Sequence, residues 1–192
     1  MAPIIRKGGL AQALRDVQQE RKLRDPVYLV CVGTDCSTGD AFGPLVGSFL
    51  RDAGYPYVIG TLDRPCDSST LQEQLRELPA DGSVLAVDSV VGRSVGYFQL
   101  LQEPLEPGKS LGKPLPKVGD ASLLGIVCPN RSNPYTALQS ASLHLVLSMA
   151  KEAASAILYT FGSPEYADAA QRLDSQLITQ VLPAQADRNR QE

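Results

Sequence analysis

The sequence of 192 residues has one histidine, His144, and no apolar run approaching the roughly 18 residues that a membrane-spanning helix requires. Residues 1–10 also lack the apolar segment of a signal peptide. A single histidine leaves too few nitrogen ligands for a typical zinc centre, and it is a poor source of the base that a serine or cysteine nucleophile needs. We therefore expect a cytoplasmic protein without a membrane partner, and neither zinc-dependent nor serine or cysteine catalysis.

An excess of basic residues is missing as well. The chain has 18 Lys and Arg against 21 Asp and Glu, for a formal charge of −3, and both signs are mixed along it. Proteins that bind along the phosphate backbone of nucleic acid have a stripe of basic residues, and this sequence has none. Nucleic acid is therefore not an expected partner. The length and the hydrophobic content of 43% predict a single globular domain over residues 1–192, and they leave its oligomeric state open.

The four cysteines form no redox or disulfide pattern. Cys31 and Cys36 do not have the Cys-x-x-Cys spacing of redox sites, and Cys66 and Cys128 are scattered among predicted strands and loops. In a reducing compartment such cysteines are free thiols. The sequence therefore predicts no cofactor and no dedicated metal site.

The most informative stretch is a polar loop between two apolar segments. Residues 27–32 form a short β-rich run, typical of a strand that is buried on both faces. Residues 45–53 repeat apolar side chains at helical spacing before Gly54, which suits a C-terminal cap. This order of strand, loop and helix places Asp40 beyond the carboxyl end of a strand, where open α/β sheets hold their ligands and catalytic groups.

Two other roles compete for this loop. Gly33, Gly39 and Gly43 suggest a phosphate cradle, but their spacing matches neither the P-loop nor GxGxxG, and the neighbouring aspartates would repel a phosphate. Asp40 is also a suitable residue for capping a helix, although Pro44 indicates that the helix begins one or two residues later.

A second aspartate ends another short apolar run. Residues 83–88 indicate a buried strand that ends in Asp88. If this strand and residues 27–32 are parallel neighbours, Asp40 and Asp88 stand over the same edge of the sheet. Two carboxylates in one site do not ionise together easily, so one holds a proton at a raised pKa while the other stays charged. That division suits the activation of water and the protonation of a leaving amine.

The remaining segments give weaker signals. Residues 96–102 and the Pro- and Gly-rich residues 103–116 indicate an edge hairpin or a lid beside the parallel strands. Asp120 begins the last predicted strand, so we expect it at the opposite end of the sheet from the aspartate pair. The loop aspartates Asp63 and Asp67 are further candidates for lining the site.

Residues 37–47 (STGDAFGPLVG) and 86–93 (AVDSVVGR) are similar to the signature of the YyaC sporulation proteins of spore-forming Gram-positive bacteria, which are regarded as spore proteases. The resemblance extends over about residues 27–160. Residues 40–44 and 86–88 also resemble segments of the germination protease of spores, in which two such aspartates are the proposed catalytic pair. The hydrogenase maturation proteases are a more distant likeness, with carboxylates and a histidine at comparable strand ends.

The resemblance implies a three-layer αβα sandwich with a mainly parallel sheet, the phosphorylase/hydrolase-like fold of the hydrogenase maturation and germination proteases. The alternation of short strands with helices agrees with it. We expect an N-terminal helix over about residues 10–22, a core over about 27–160 and a C-terminal helix over about 165–182. A long helix is predicted over 134–159, with His144 on its polar face.

The residues and the resemblance together predict a sporulation-associated, protease-like hydrolase in which Asp40 and Asp88 act on water as general base and general acid. The resemblance implies spore proteins as substrates and the forespore or mother cell as the location. The residues expected to bind or orient the peptide are Asp35, Ser37, Thr38, Gly39, Ser89 and Arg93. Two alternatives use the same cleft: a metal-assisted peptidase of the maturation type, and a peptide-binding protein without catalysis.

Overall fold

The structure, a computed structural model, describes residues 4–6, 8–21, 23–108 and 115–181. Its elements in chain order are β1 Ile4–Ile5, α1 Leu10–Arg21, β2 Val27–Cys31, α2 Phe42–Asp52, β3 Val58–Ile59, α3 Leu71–Leu75, β4 Ser83–Val91, β5 Phe98–Leu101, β6 Ala121–Cys128, α4 Pro134–Gln139, α5 Leu143–Phe161 and α6 Ala167–Val181. A short 3-10 turn leads into α6. Within these described residues, no helix is both long and apolar enough to cross a membrane.

Six strands form one sheet in the order β1-β5-β6-β4-β2-β3. Strands β6, β4, β2 and β3 run parallel, whereas β5 is antiparallel to β6 and β1 is antiparallel to β5. The predicted neighbours β2 and β4 pair directly, with Cys31 opposite Val87. A mainly parallel sheet flanked by helices confirms the predicted α/β fold class.

Successive residues of the central strands face two separate cores. Leu29 and Leu85 pack among apolar residues of α1, α2 and α5 on one side of the sheet. Val30 and Ala86 face the other side, where they pack with Leu71 of α3. Burial on both faces explains why these strands show no alternation of apolar and polar residues in the sequence.

The antiparallel strands beside the parallel ones match the predicted hairpin in part. Strand β5 is antiparallel to β6, as in a hairpin, but it is not the outermost strand, because the two-residue strand β1 pairs with its other side. Of the predicted lid over residues 103–116, residues 109–114 lie outside the described part of the chain.

The first helix after the polar loop begins earlier than residue 45. Ala41 is the N-cap of α2, and Pro44 lies in the first turn, where its missing N–H removes no helical hydrogen bond. The helix ends before Gly54, whose φ of +90° confirms the predicted left-handed cap.

The predicted long helix over residues 134–159 is two helices, α4 and α5. The Ser142 hydroxyl accepts a hydrogen bond from the Leu145 N–H at 3.4 Å and caps α5, while the Ser140 hydroxyl donates to the Thr136 carbonyl at 2.8 Å at the end of α4. Serine side chains compete with helical backbone bonds in this way. The break lets α4 pack over β4 and β6, close to the aspartates that follow β2.

Candidate active site

A cavity of about 360 Å³ opens beside the carboxyl end of β2. Ligand sites in proteins typically have volumes of about 300–1,000 Å³. Its described lining is Val32, Gly33, Thr34, Asp40, Asp67, Ser68, Leu71, Asp88, Ser89, Pro107, Gly108, Leu115, Asn133, Pro134, Tyr135 and Leu138. Both predicted catalytic aspartates therefore lie in one cavity.

Asp40 is held by a tight turn between β2 and α2. Its carbonyl oxygen accepts a hydrogen bond from the Thr34 N–H at 3.2 Å, and it would lie 2.0 Å from a Cβ atom at Gly33. Gly33 has a φ of +143°, so only glycine fits this approach without strain. The N-cap of α2 is Ala41, with no side-chain cap bond, so the competing role of Asp40 as a helix cap is wrong.

Asp88 lies inside β4, level with the end of β2. The strand continues to Val91 instead of ending at the aspartate as predicted, because its last residues pair with β6. The Asp88 Oδ1 atom accepts a hydrogen bond from the Ser89 N–H at 2.7 Å, and the side chain is half-buried. The strand thus fixes this carboxyl on the floor of the cavity.

The two carboxyl groups have raised pKa values. Burial raises the pKa of Asp40, and the adjacent Ser37 hydroxyl partly offsets this rise. Burial raises the pKa of Asp88 to about 7; the Ser89 N–H opposes the rise, and the negative charge of Asp40 adds to it. At neutral pH the pair therefore binds a proton mainly on Asp88, while Asp40 is the more acidic partner.

Asp67 is a third carboxylate in the cavity and behaves differently. A bridge between Val32 and Cys66 places its loop beside the end of β2. The Asp67 Oδ1 atom accepts hydrogen bonds from the Ser69 N–H at 2.8 Å, the Ser69 hydroxyl at 2.6 Å and the Thr70 N–H at 3.2 Å. These donors lower the pKa of Asp67, so this group stays ionised at neutral pH.

Two serine hydroxyls at the site have no conventional partner. Ser37 and Ser89 are 7% and 8% exposed, and each Oγ atom is buried without a hydrogen bond of standard geometry among the described residues. Ser89 lines the cavity next to Asp88, and Ser37 lies beside Asp40. Buried polar atoms are normally satisfied in folded proteins, so these two hydroxyls are exceptions among the described residues.

The other predicted binding residues lie outside the cavity lining. Asp35 and Arg93 are exposed, and Thr38 is half-buried. Gly39 packs instead against α4: its N–H donates to the Leu138 carbonyl at 2.9 Å, and a Cβ atom there would lie 2.8 Å from the Leu138 side chain. A role for these four residues in substrate binding stays a prediction.

Two further aspartates do not reach the site. Asp63 is exposed and forms an ion pair with Arg51, while Asp67 from the same loop does line the cavity. Asp120 accepts a hydrogen bond from the Val84 N–H at 2.8 Å, near the start of β4. Its position at the opposite end of the sheet confirms the prediction.

The sequence did not reveal the part of the wall that α4 supplies. Asn133 caps this helix by accepting a hydrogen bond from the Thr136 N–H at 3.3 Å, and Tyr135 and Leu138 face the cavity. The motif Asn133-Pro134 is a recognisable helix start, but the following residues suggested one continuous helix.

Other nucleophiles and metal ligands are poorly placed. Burial raises the pKa of Cys66 to about 12 and also raises that of Cys31, so both remain thiols. His144 is exposed on α5, as predicted, and does not line the cavity. Among the described residues, no three His, Cys, Asp or Glu side chains converge as a metal site.

A second cavity of about 720 Å³ lies next to the first. Asp88 and Ser89 line both cavities, and Glu103, Glu106 and Lys117 lie in the second. Lys117 forms an ion pair with Glu106 at 2.8 Å. We call the two adjacent cavities the cleft; Asp88 belongs to the lining of both.

Comparisons with known proteins agree with this fold. The described fold resembles the crystal structure of a NiFe hydrogenase maturation protease, HycI from Thermococcus kodakarensis KOD1, with a TM-score of 0.52 and 21% identity over 79% of this chain and 99% of that chain. A protein of Bacillus subtilis (strain 168), "Uncharacterized protein YyaC", is 39% identical over 142 residues, which cover 70% of this chain and 69% of the relative. The family model DUF1256, "Protein of unknown function", matches residues 9–156. The chain therefore belongs to the DUF1256 family.

Proposed function

We propose that this protein is a peptidase in which Asp40 and Asp88 form an acid–base pair acting on water. The observation that carries the proposal is that both carboxyl groups line one cavity, both have raised pKa values, and the charge of Asp40 contributes to the rise at Asp88. A carboxyl group that is half-protonated near pH 7 is suited to donate a proton, and its ionised partner is suited to accept one.

The reaction follows from these protonation states. Asp40 takes a proton from water as the water oxygen bonds to the peptide carbonyl carbon, and Asp88 gives its proton to the carbonyl oxygen. When the C–N bond breaks, the leaving nitrogen takes the proton from Asp40 and Asp88 recovers its own.

The shape of the cleft also supports a peptide substrate. Two adjacent cavities share Asp88 in their lining, so a peptide that occupies both would pass this residue. The maturation-protease fold favours peptide hydrolysis by analogy, which is weaker support than the site itself. The resemblance to sporulation proteins favours spore proteins as substrates and the forespore or mother cell as the location.

The test is cleavage of a diverse synthetic peptide mixture and of small acid-soluble spore proteins, followed by mass spectrometry. The Asp40→Asn and Asp88→Asn variants should each lower the rate by on the order of 10²-fold or more, and the double variant should be scarcely slower than either one. The matched control is Asp120→Asn, which changes an aspartate at the other end of the sheet and should cleave at the wild-type rate.

Two results would contradict the proposal. Asparagine variants that cleave at the wild-type rate would show that the aspartates have no catalytic role. A wild-type protein that binds peptides but cleaves none of them would favour the peptide-binding alternative on the same cleft.

A further inference from the structure

One carboxylate oxygen of Asp67 makes no hydrogen bond within the described part of the chain. All of its hydrogen bonds within the described chain reach Oδ1, from Ser69 and Thr70, and none reaches Oδ2. The donors that fix Oδ1 orient the group and keep it ionised, so Oδ2 is available as an anionic acceptor in the wall of the cavity.

The walls around Asp67 are largely apolar. Leu71, Leu115 and Leu138 line the cavity together with Tyr135, whose residue surface is 58% exposed at the mouth. A side chain with a long aliphatic stem and a charged end matches such a pocket, because the stem packs on the leucines while the charge reaches the anion. The Tyr135 ring can also contact the charged end of such a side chain.

The charge of the cavity selects the sign of that ligand. Asp40, Asp67 and Asp88 line it, and no lysine or arginine does within the described residues. Even when the catalytic pair holds one proton, the described lining of the cavity carries a net negative charge.

We propose that Asp67 is a specificity residue, and that the cleft selects peptides with a lysine or arginine side chain that enters this cavity and binds Asp67 Oδ2. The inference rests on the proposed peptidase function, since it names the substrate class of the same site. An acidic side chain at that position would meet three carboxyl groups and should be rejected.

The experiment uses the peptides Ac-Ala-Ala-Xaa-Ala-Ala-amide, in which Xaa is lysine, arginine, norleucine or glutamate. Norleucine keeps the aliphatic stem of lysine without its charge. For the wild-type protein, kcat/KM should be at least about tenfold higher with lysine or arginine than with norleucine, and lowest with glutamate. Asp67→Asn should reduce the lysine-to-norleucine ratio to about one. The matched control is Asp63→Asn, on the same loop but outside the cavity, which should keep the ratio.

A second variant leaves the Asp67 turn intact. Ser68 is exposed, lines the cavity and has no hydrogen bond in the described structure, so Ser68→Lys adds a cation beside Asp67 without removing a contact. This variant should lower kcat/KM for the lysine peptide and raise it for the glutamate peptide. Lysine-to-norleucine ratios that stay within twofold of wild type in both Asp67→Asn and Ser68→Lys would overturn the proposal.

Calorimetric binding separates this inference from the proposed function. If no peptide is cleaved, the peptidase function fails, but the Kd values of the lysine and norleucine peptides still report on Asp67. A wild-type preference for lysine that is lost in Asp67→Asn would support the pocket, and equal affinities for the two peptides would refute it. Circular dichroism of each variant checks that the fold is retained.

Discussion

Replacing Asp88 by asparagine should change how stability depends on pH. The pKa of Asp88 is raised in the folded protein from an ordinary value of 3.8 to about 7. Between these values the folded protein binds a proton that the unfolded chain has lost, so the stability contribution of this group falls as pH rises from about 4 to about 7. Each pKa unit corresponds to about 1.4 kcal/mol, which gives a loss of at most about 4 kcal/mol.

Asparagine has no titrating group, so the Asp88→Asn variant should lack this loss. The free energy of unfolding by urea should fall between pH 5 and pH 8 by about 2–3 kcal/mol more in the wild type than in the variant. The variant should therefore be relatively more stable at pH 8. Asp120→Asn serves as the control and should follow the wild type. Equal pH dependence in the wild type and Asp88→Asn would refute the reasoning, because it would mean that this carboxyl group titrates at an ordinary pKa.

Three further predictions follow from the structure. Elemental analysis should find no stoichiometric zinc or nickel, because the described lining of the cavity offers the aspartate pair only oxygen donors. Oxygen donors suit magnesium or calcium that exchanges readily. Bound zinc or nickel would favour the metal-assisted alternative. Gly125→Ala should lower the free energy of unfolding by about 1–3 kcal/mol, because the added Cβ atom would lie 2.9 Å from the Phe42 ring. A free energy of unfolding equal to that of the wild type, measured with urea, would contradict this packing. His144→Ala should change the rate of peptide cleavage by less than about twofold, because His144 is exposed and lies outside the cavity lining. A large loss of rate in a kinetic assay would show that His144 acts as a catalytic base.

The part of the site that could be predicted from sequence is local in the chain. Strands β2 and β4 are short and apolar on both faces, and each leads to an aspartate, so their pairing brings Asp40 and Asp88 together. The start of α2 could also be anticipated from Pro44, whose missing N–H restricts where the helix begins.

The part that could not be predicted depends on contacts between distant segments. The sequence offers both Asp63 and Asp67 as candidates for the lining. The choice between them depends on the bridge from Cys66 to Val32, which leaves no periodic pattern in the sequence. The break between α4 and α5 depends on the Ser142 cap, which competes with a helical pattern that continues through it. Strand β1 has two residues, too few for any period to be recognised.

A titration of the Asp88 side-chain carboxyl carbon by ¹³C NMR, in the wild type and in Asp40→Asn, reports on the proton that the two aspartates are proposed to share. We expect a midpoint near pH 7 in the wild type, and a lower midpoint in the variant because the negative charge of Asp40 is gone. A midpoint near the ordinary value for aspartate, or one that Asp40→Asn leaves unchanged, would contradict the claim that these two carboxyl groups share a proton.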